Sequence, residues 1–327
     1  MMIRTSLCER LGIDHPILNA PMSRTASAEL AAAVSNAGGL GMIGGTTRGG
    51  ADWLRQQIRS TRALTNRPFG VGFISSFSNV DELVQVALDE RVSVINHSFS
   101  DPTPYVAAAR DCGIQVFAQV QSLEHAKRAA DAGVDAIIAQ GGEAGGHTGT
   151  LGTMAFVPAV VDAVGNLPVI AAGGIADGRG LAAALMLGAV GVSMGTRFVA
   201  SHEWSGGSWE QTPLLAASTD DTIRTDVYDQ IRGSEFPSGI ADRVVRNAFN
   251  SKWEGRGNEI ETVRNELQHE LELAASQGDS SVMDISGGEA VGLVHQLESA
   301  RTIVDRVVDE AMRLLRDNAA KYVDPTG

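Results

Sequence analysis

Cysteine is nearly absent, with Cys8 and Cys112 the only two in 327 residues. Two thiols without metal-ligand spacing exclude a disulfide framework and a cysteine-based metal site, and they fit a reducing compartment. Aromatic residues make up only 5% of the chain. No apolar run approaches the ~18 residues that a membrane-spanning helix needs. The opening MMIRTSLCERLGIDHP has neither the apolar core nor the small-residue cleavage site of a secretory signal, so the expected location is the cytoplasm, with no membrane partner. Positive charge is short as well. Lysine and arginine number 26 against 39 aspartates and glutamates, for a net charge of −13. Such a surface repels phosphate polymers, and no nucleic-acid partner is expected. A local phosphate pocket stays open, because helix N-termini and glycine amides hold anions without net positive charge.

What is abundant is apolar residues, 43% of the chain, and glycine, 37 residues. At ordinary usage about 23 glycines would be expected. The composition is that of a packed globular protein, with many places where the backbone turns tightly or approaches something closely.

Between residues 15 and 200, short apolar runs alternate with amphipathic stretches. The strand candidates are HPILNAPM (15–22), LGMIGG (40–45), PFGVGFIS (68–75), VSVINHSF (92–99), QVFAQV (115–120), DAIIAQG (135–141), PVIAAGG (168–174) and GVSMGTRFV (191–199). Runs that are apolar at consecutive positions are buried on both faces, as in a parallel sheet. The intervening helices carry their own punctuation: Ser27 and Ser122 stand at N-cap positions, and Gly38 and Gly133 stop the two helices. Eight strand–helix units predict a closed (β/α)8 TIM barrel rather than an open doubly wound sheet. The eighth unit has the least obvious helix.

After Ser201 the rhythm breaks. Residues 202–258 hold three of the four tryptophans in a polar, irregular texture, and Ile260, Val263, Leu267 and Leu271 line one face of a helix over 259–274. ESARTIVDRVVDEAMRLLRD is a strongly amphipathic helix expected to pack back on the barrel. The division that follows is a barrel over 1–201 and 286–327, and a smaller, mainly helical subdomain over 202–285, with the chain returning at SGGEAVGLVH.

Several strands end in NAPMS, NHS, AQGG, AAGG and MGT, the C-terminal mouth where barrel enzymes build their sites. The stretch 141–149 contains five glycines and presents His147, whose titration near neutrality suits proton transfer. Gly173 and Gly174 after strand seven, with Gly195 and Thr196 after strand eight, offer backbone amides and a hydroxyl to a phosphate monoester. Arg197 either adds charge there or pairs with a surface carboxylate. Pro21 stiffens the end of the first strand, and Met22 is soft enough to lie against a flat ring.

Taken in order, NAPM, LAAAVSNAGGLGMIGG, PFGV, AQGGEAGGHTG, PVIAAGGIADGRG and SMGTRF resemble the nitronate monooxygenases, also called 2-nitropropane dioxygenases, and the related flavin-dependent enoyl-acyl-carrier-protein reductases. The resemblance implies a barrel holding non-covalent FMN. It implies Ala20, Pro21, Met22 and Ser23 beside the flavin, and Gln140, Gly145 and Gly146 along the ring or ribityl chain. It puts Gly173, Gly174, Ser193, Met194, Gly195 and Thr196 around the phosphate, and His147 as the catalytic residue, with no metal. The partners implied are a small-molecule substrate and O2. Three positions depart from the family pattern: Gly72 stands where an asparagine is common, Ser193 where a glutamine is common, and Thr148 where a larger, often basic residue follows the histidine. The first reading is oxidation of alkyl nitronates or nitroalkanes by O2 to a carbonyl compound and nitrite. The alternative is an NAD(P)H-dependent FMN reductase of an activated double bond, such as an enoyl thioester. A non-redox phosphate-binding barrel and a flavin carrier without chemistry complete the set. A homodimer is one expectation for the assembly, which the sequence leaves open.

Overall fold

The computed structural model describes residues 3–23, 25–46, 49–234 and 236–317. Eight parallel strands make one sheet: β1 (Ile17–Asn19), β2 (Gly41–Gly44), β3 (Phe69–Ile74), β4 (Val94–Ser98), β5 (Gln115–Val120), β6 (Ala136–Gln140), β8 (Val169–Ala172) and β9 (Gly191–Met194), ordered β1-β9-β8-β6-β5-β4-β3-β2. Between β6 and β8 the chain adds a short strand, β7 (Gly146–Thr148), which belongs to a different sheet.

The barrel closes between β1 and β2. The amide of Leu40 donates to the carbonyl of Ile17 at 2.9 Å. The Asn19 side chain then continues the ladder: its Oδ1 accepts from the Met42 amide at 2.8 Å and its Nδ2 donates to the Met42 carbonyl at 2.8 Å. A side chain thus satisfies the backbone groups that a three-residue strand is too short to reach.

Period-two alternation sorts the strand residues into two cores. Leu18, Met42, Val94, Phe117, Ile138 and Ile170 fill the interior, which Leu7, Cys8 and Leu11 of the helix Ser6–Leu11 join. Ile17, Ile43, Val71, Ile95, Val116, Ile137 and Val192 face outward against the helices.

The eighth barrel helix is the C-terminal Ala300–Asp317, which packs between Gly178–Met186 and Ala28–Asn36. Ile303, Val304, Val307 and Val308 are buried on its inner face, each stabilising the fold by about 1.5–3 kcal/mol. Its close approach to Gly178 leaves no room for a side chain there, where a Cβ would lie 2.5 Å from the Ala311 nitrogen. Strand eight is shorter than the sequence pattern predicts: β9 stops at Met194, and Thr196–Val199 is one helical turn. Ser27 occupies its N-cap position but gives its hydroxyl to Glu29, whereas Ser122 caps by accepting from the His125 amide.

The region after Ser201 holds the helices Ser208–Ala216, Val227–Arg232, Ala248–Trp253 and Gly257–Gln277, the last kinked at Val263. It also holds β10 (Thr222–Thr225) and β11 (Ala241–Val245), which the sequence pattern does not reveal. These pair antiparallel in the order β10-β11-β7. Val227, Tyr228, Ile231, Phe249, Trp253, Ile260, Leu267 and Leu271 form a core of their own beside them.

Candidate active site

The stretch 141–149 is anchored at both sides. Gly145 lies flat against Gly287 and Gly288, so close that a Cβ would sit 2.6 Å from the Gly288 nitrogen. Glu143 accepts from the Thr153 amide at 2.8 Å and from its hydroxyl at 2.8 Å, starting the helix Thr153–Val164. His147 does not stand at a free loop tip, as the glycine content suggests. It sits in β7, paired directly opposite Asp242 of β11.

The His147 ring is held by the region after Ser201. Its Nε2 contacts both oxygens of Asp229, at 2.8 and 3.0 Å. One face of the imidazole stacks on Phe236, with centroids 3.5 Å apart and planes 12° from parallel, and the Phe99 ring stands at 76° to it with centroids 6.4 Å apart. Phe99 has a left-handed backbone, φ +67°, a conformation that costs an L-residue without a local side-chain hydrogen bond. Burial alone lowers the His147 pKa. The hydrogen bond to Asp229 and the charges of Asp242, Asp229 and Asp284 outweigh it and hold the value above the ordinary one. Burial pushes the Asp242 carboxyl up to about 7, against the pull of His147. Sequence reading misses Asp229, Asp242, Phe99 and Phe236. Asp242 alone leaves a trace: an acid beside Ala241 and two positions before the apolar pair Val244–Val245 in the run ADRVV.

The glycine turns after β8 and β9 lie side by side, since Ala172 pairs with Ser193. Gly173 and Gly174 have φ of +100° and +72°. Among the described residues, the amides of Gly174, Gly195 and Thr196 donate no hydrogen bond. The Thr196 hydroxyl accepts from the Gly288 amide at 3.0 Å, which ties this turn to the same Gly287–Gly288 segment that braces Gly145. Such a cluster of unpaired amides is a ready anion cradle.

The end of β1 meets these turns. The Met22 sulfur lies 3.9 Å from the position of a Cβ on Gly195, and Ala20 is 3.5 Å from it. Ala20, Pro21, Met22 and Ser23 therefore share the mouth with Gly195. Gln140 accepts from Gln121 Nε2 at 2.8 Å, leaving its own Nε2 as a donor without an acceptor among the described residues. Ser193 and Met194 end β9, with Ser193 turned inward beside Ala172. Arg197 does not reach for a phosphate. It is buried, donates to the carbonyls of Ala200 and Gln296, and lies 3.4 Å from Glu298. The carboxylate alternative thus prevails, in the interior rather than at the surface. Gly72 has a steric cause: a Cβ there would lie 2.3 Å from Pro21. Thr148 is buried and donates to the Gly141 carbonyl at 2.9 Å, closing the base of the loop.

A cavity of about 260 Å³ opens beside the mouth at the ends of β4 and β5, lined among others by Phe99, Val120, Arg128 and Pro237. Among the described residues, no helix is long and apolar enough to cross a membrane.

The family model for nitronate monooxygenase matches residues 4–83 and 74–310. A hydroxy-methyl-oxo-octahydroindene-carboxyl-CoA dehydrogenase of Mycobacterium tuberculosis is 31% identical, over 98% of this chain and 99% of its own. A nitronate monooxygenase of Paraburkholderia phytofirmans is 34% identical, over 76% of this chain and 77% of its own. The structure of FabK from Thermotoga maritima superposes with a TM-score of 0.89 at 36% identity, covering 98% of this chain and all of that one.

Proposed function

The chain belongs to the nitronate monooxygenase family and is an oxidoreductase of (β/α)8 fold; from that premise we propose that it binds FMN in the barrel mouth and oxidises alkyl nitronates under His147. The observation that carries the reading is the union of two features at one mouth: the unpaired amides of Gly174, Gly195 and Thr196, and an imidazole held by a carboxylate.

The residues present fit FMN. The amide cradle suits one phosphate monoester, Met22 and Pro21 offer a soft wall to a flat ring, and Gly145 and Gly146 carry no side chain to obstruct it. Gln140 supplies a hydrogen-bond donor nearby. Bound FMN would take electrons from the substrate carbon and pass them to O2.

His147 carries the chain's own part of the chemistry. With Nε2 committed to Asp229, Nδ1 is the nitrogen left for substrate. The hydrogen bond to Asp229 and the surrounding carboxylates raise the pKa and so favour the protonated ring, and an imidazolium attracts the anionic NO2 group of a nitronate. A neutral nitroalkane instead needs a deprotonated ring to accept its α-proton, so this substrate is favoured at higher pH. Phe99 and Phe236 shield the ring from water and leave an apolar flank for the alkyl group.

A second reading is reduction of an activated C=C bond in a thioester, supported by the likeness to FabK and by a relative whose name carries a CoA thioester. In it the same His147 anchors a thioester or dienolate oxygen, NAD(P)H serves as electron donor, and the cavity beside Phe99 takes part of the acyl group. Anaerobic mixing of the purified protein with an alkyl nitronate, NADH or NADPH separates the two. Rapid flavin bleaching by the nitronate alone is expected, whereas bleaching only by a nicotinamide transfers the assignment to the second reading. Chromatography of the released cofactor should return FMN. FAD, or no flavin after reconstitution, would sink the cofactor assignment.

A further inference from the structure

His147 is held twice by elements outside the barrel strands. Its backbone is an edge of the β10-β11-β7 sheet, and its ring meets a carboxylate from the helix Val227–Arg232. That helix is only six residues long, yet it is firmly placed. Val227, Tyr228 and Ile231 are buried in the separate core, and the Tyr228 hydroxyl donates to the Val282 carbonyl at 2.9 Å. Arg232, the next cation along, is paired with both oxygens of Asp284 at 2.5 and 2.6 Å. Asp229 is therefore not drawn into that ion pair, and its two oxygens remain with the imidazole.

We propose that Asp229 is the positioning residue of His147: it accepts the Nε2–H, fixes the ring tautomer, and turns Nδ1 toward the substrate. This rests on His147 being the group that meets the substrate. The carboxylate–imidazole arrangement works because one ring nitrogen that donates to a fixed acceptor leaves the other with a defined direction and protonation state. The charged groups around the ring are Asp229 from the helix, Asp242 from β11, and Asp284 with its partner Arg232. Of these, Asp229 alone hydrogen-bonds the ring, so its removal must change both tautomer and charge. Burial then acts less opposed, and the His147 pKa falls.

The residue arrives from a region whose core is separate from that of the barrel. Placement of the reactive histidine thus depends on the docking of that region, through Asp229, and on the β7–β11 pairing.

The experiment uses the flavin-loaded protein and the substitution Asp229→Asn, which keeps the shape of the side chain. kcat/KM for an alkyl nitronate is measured between pH 5.5 and 9, alongside flavin content. The descending limb, where the imidazolium is lost, should move to lower pH in the variant, with little loss at its acidic end and roughly tenfold loss for each unit of pKa shift above it. Flavin content should not change. A uniform loss with an unmoved limb would show Asp229 to be merely structural and overturn the proposal, as would an unchanged profile.

Should the variant fail to fold, the wild-type protein decides. Its ¹⁵N-labelled imidazole, assigned by loss of the signal in His147→Asn, should titrate to the neutral form protonated at Nε2. A neutral ring protonated at Nδ1 overturns the proposal. This signature does not depend on the substrate: inactivity toward nitronates would defeat the proposed reaction and leave the tautomer test standing.

Discussion

Asp242 and His147 face each other across the β11–β7 pairing, yet the carboxylate that bonds the imidazole belongs to Asp229, while Asp242 keeps Oδ1 buried and without a partner among the described residues. Two acids thus serve one histidine differently. One contributes a hydrogen bond. The other contributes a charge that burial resists, with its carboxyl pushed up to about 7.

That difference has a stability consequence. The folded protein keeps a proton on Asp242 until about pH 7, whereas an unfolded chain releases it near the ordinary 3.8. Between those values the folded state binds more protons, so stability falls as pH rises through the window. Asp242→Asn removes the penalty. Its melting temperature should exceed that of the wild type at pH 8, by an effect on the order of a few kcal/mol, and the gain should vanish near pH 4. An equal gain at both pH values would mean that Asp242 does not titrate in this window.

His147→Asn should fold and retain flavin. With a neutral nitroalkane it should lose about 10²–10⁴-fold in turnover, the usual contribution of a general base. With the preformed nitronate the loss should be about 10- to 100-fold, the value of a charge-assisted hydrogen bond. Wild-type rates on both substrates would remove His147 from catalysis altogether.

Gly174→Val tests the amide cradle. The nearest neighbour of an added Cβ is Glu143 at 3.4 Å, so space is adequate, but φ is +72°. A β-branched residue there costs roughly 1–3 kcal/mol in backbone strain and crowds the amides at the turn. The protein should fold, with a lowered melting temperature, and purify largely colourless. Unchanged flavin content would confine this turn to a structural role.

Gly72→Ala addresses the departure at that position. Its Cβ would be 2.3 Å from both Cβ and Cγ of Pro21, and a ring fixed in φ cannot yield without moving the Ala20–Met22 segment. Overpacking of this kind typically costs about 1–3 kcal/mol. The alanine variant should melt lower and bind flavin more weakly than the wild type. Equal stability would show that Pro21 yields at little cost.

The sequence by itself determined the barrel. Apolar runs such as DAIIAQG and PVIAAGG record burial on both faces, glycines such as Gly133 and Gly174 mark backbone that must adopt positive φ, and these local requirements are written residue by residue. The amphipathic stripe of Ile303, Val304, Val307 and Val308 likewise announced a helix packed on a core, although only the fold made it the eighth of the barrel. Tertiary structure decided what local pattern cannot encode. Asn19 replaces a ladder bond at the β1–β2 seam, Arg197 finds Glu298 about a hundred positions away, and Asp229 reaches His147 across a separation of 82. An acid on a short helix looks the same in sequence whether it faces water or an imidazole. Its meaning comes from the long-range pairing of β7 with β11, which brings two distant segments into one site.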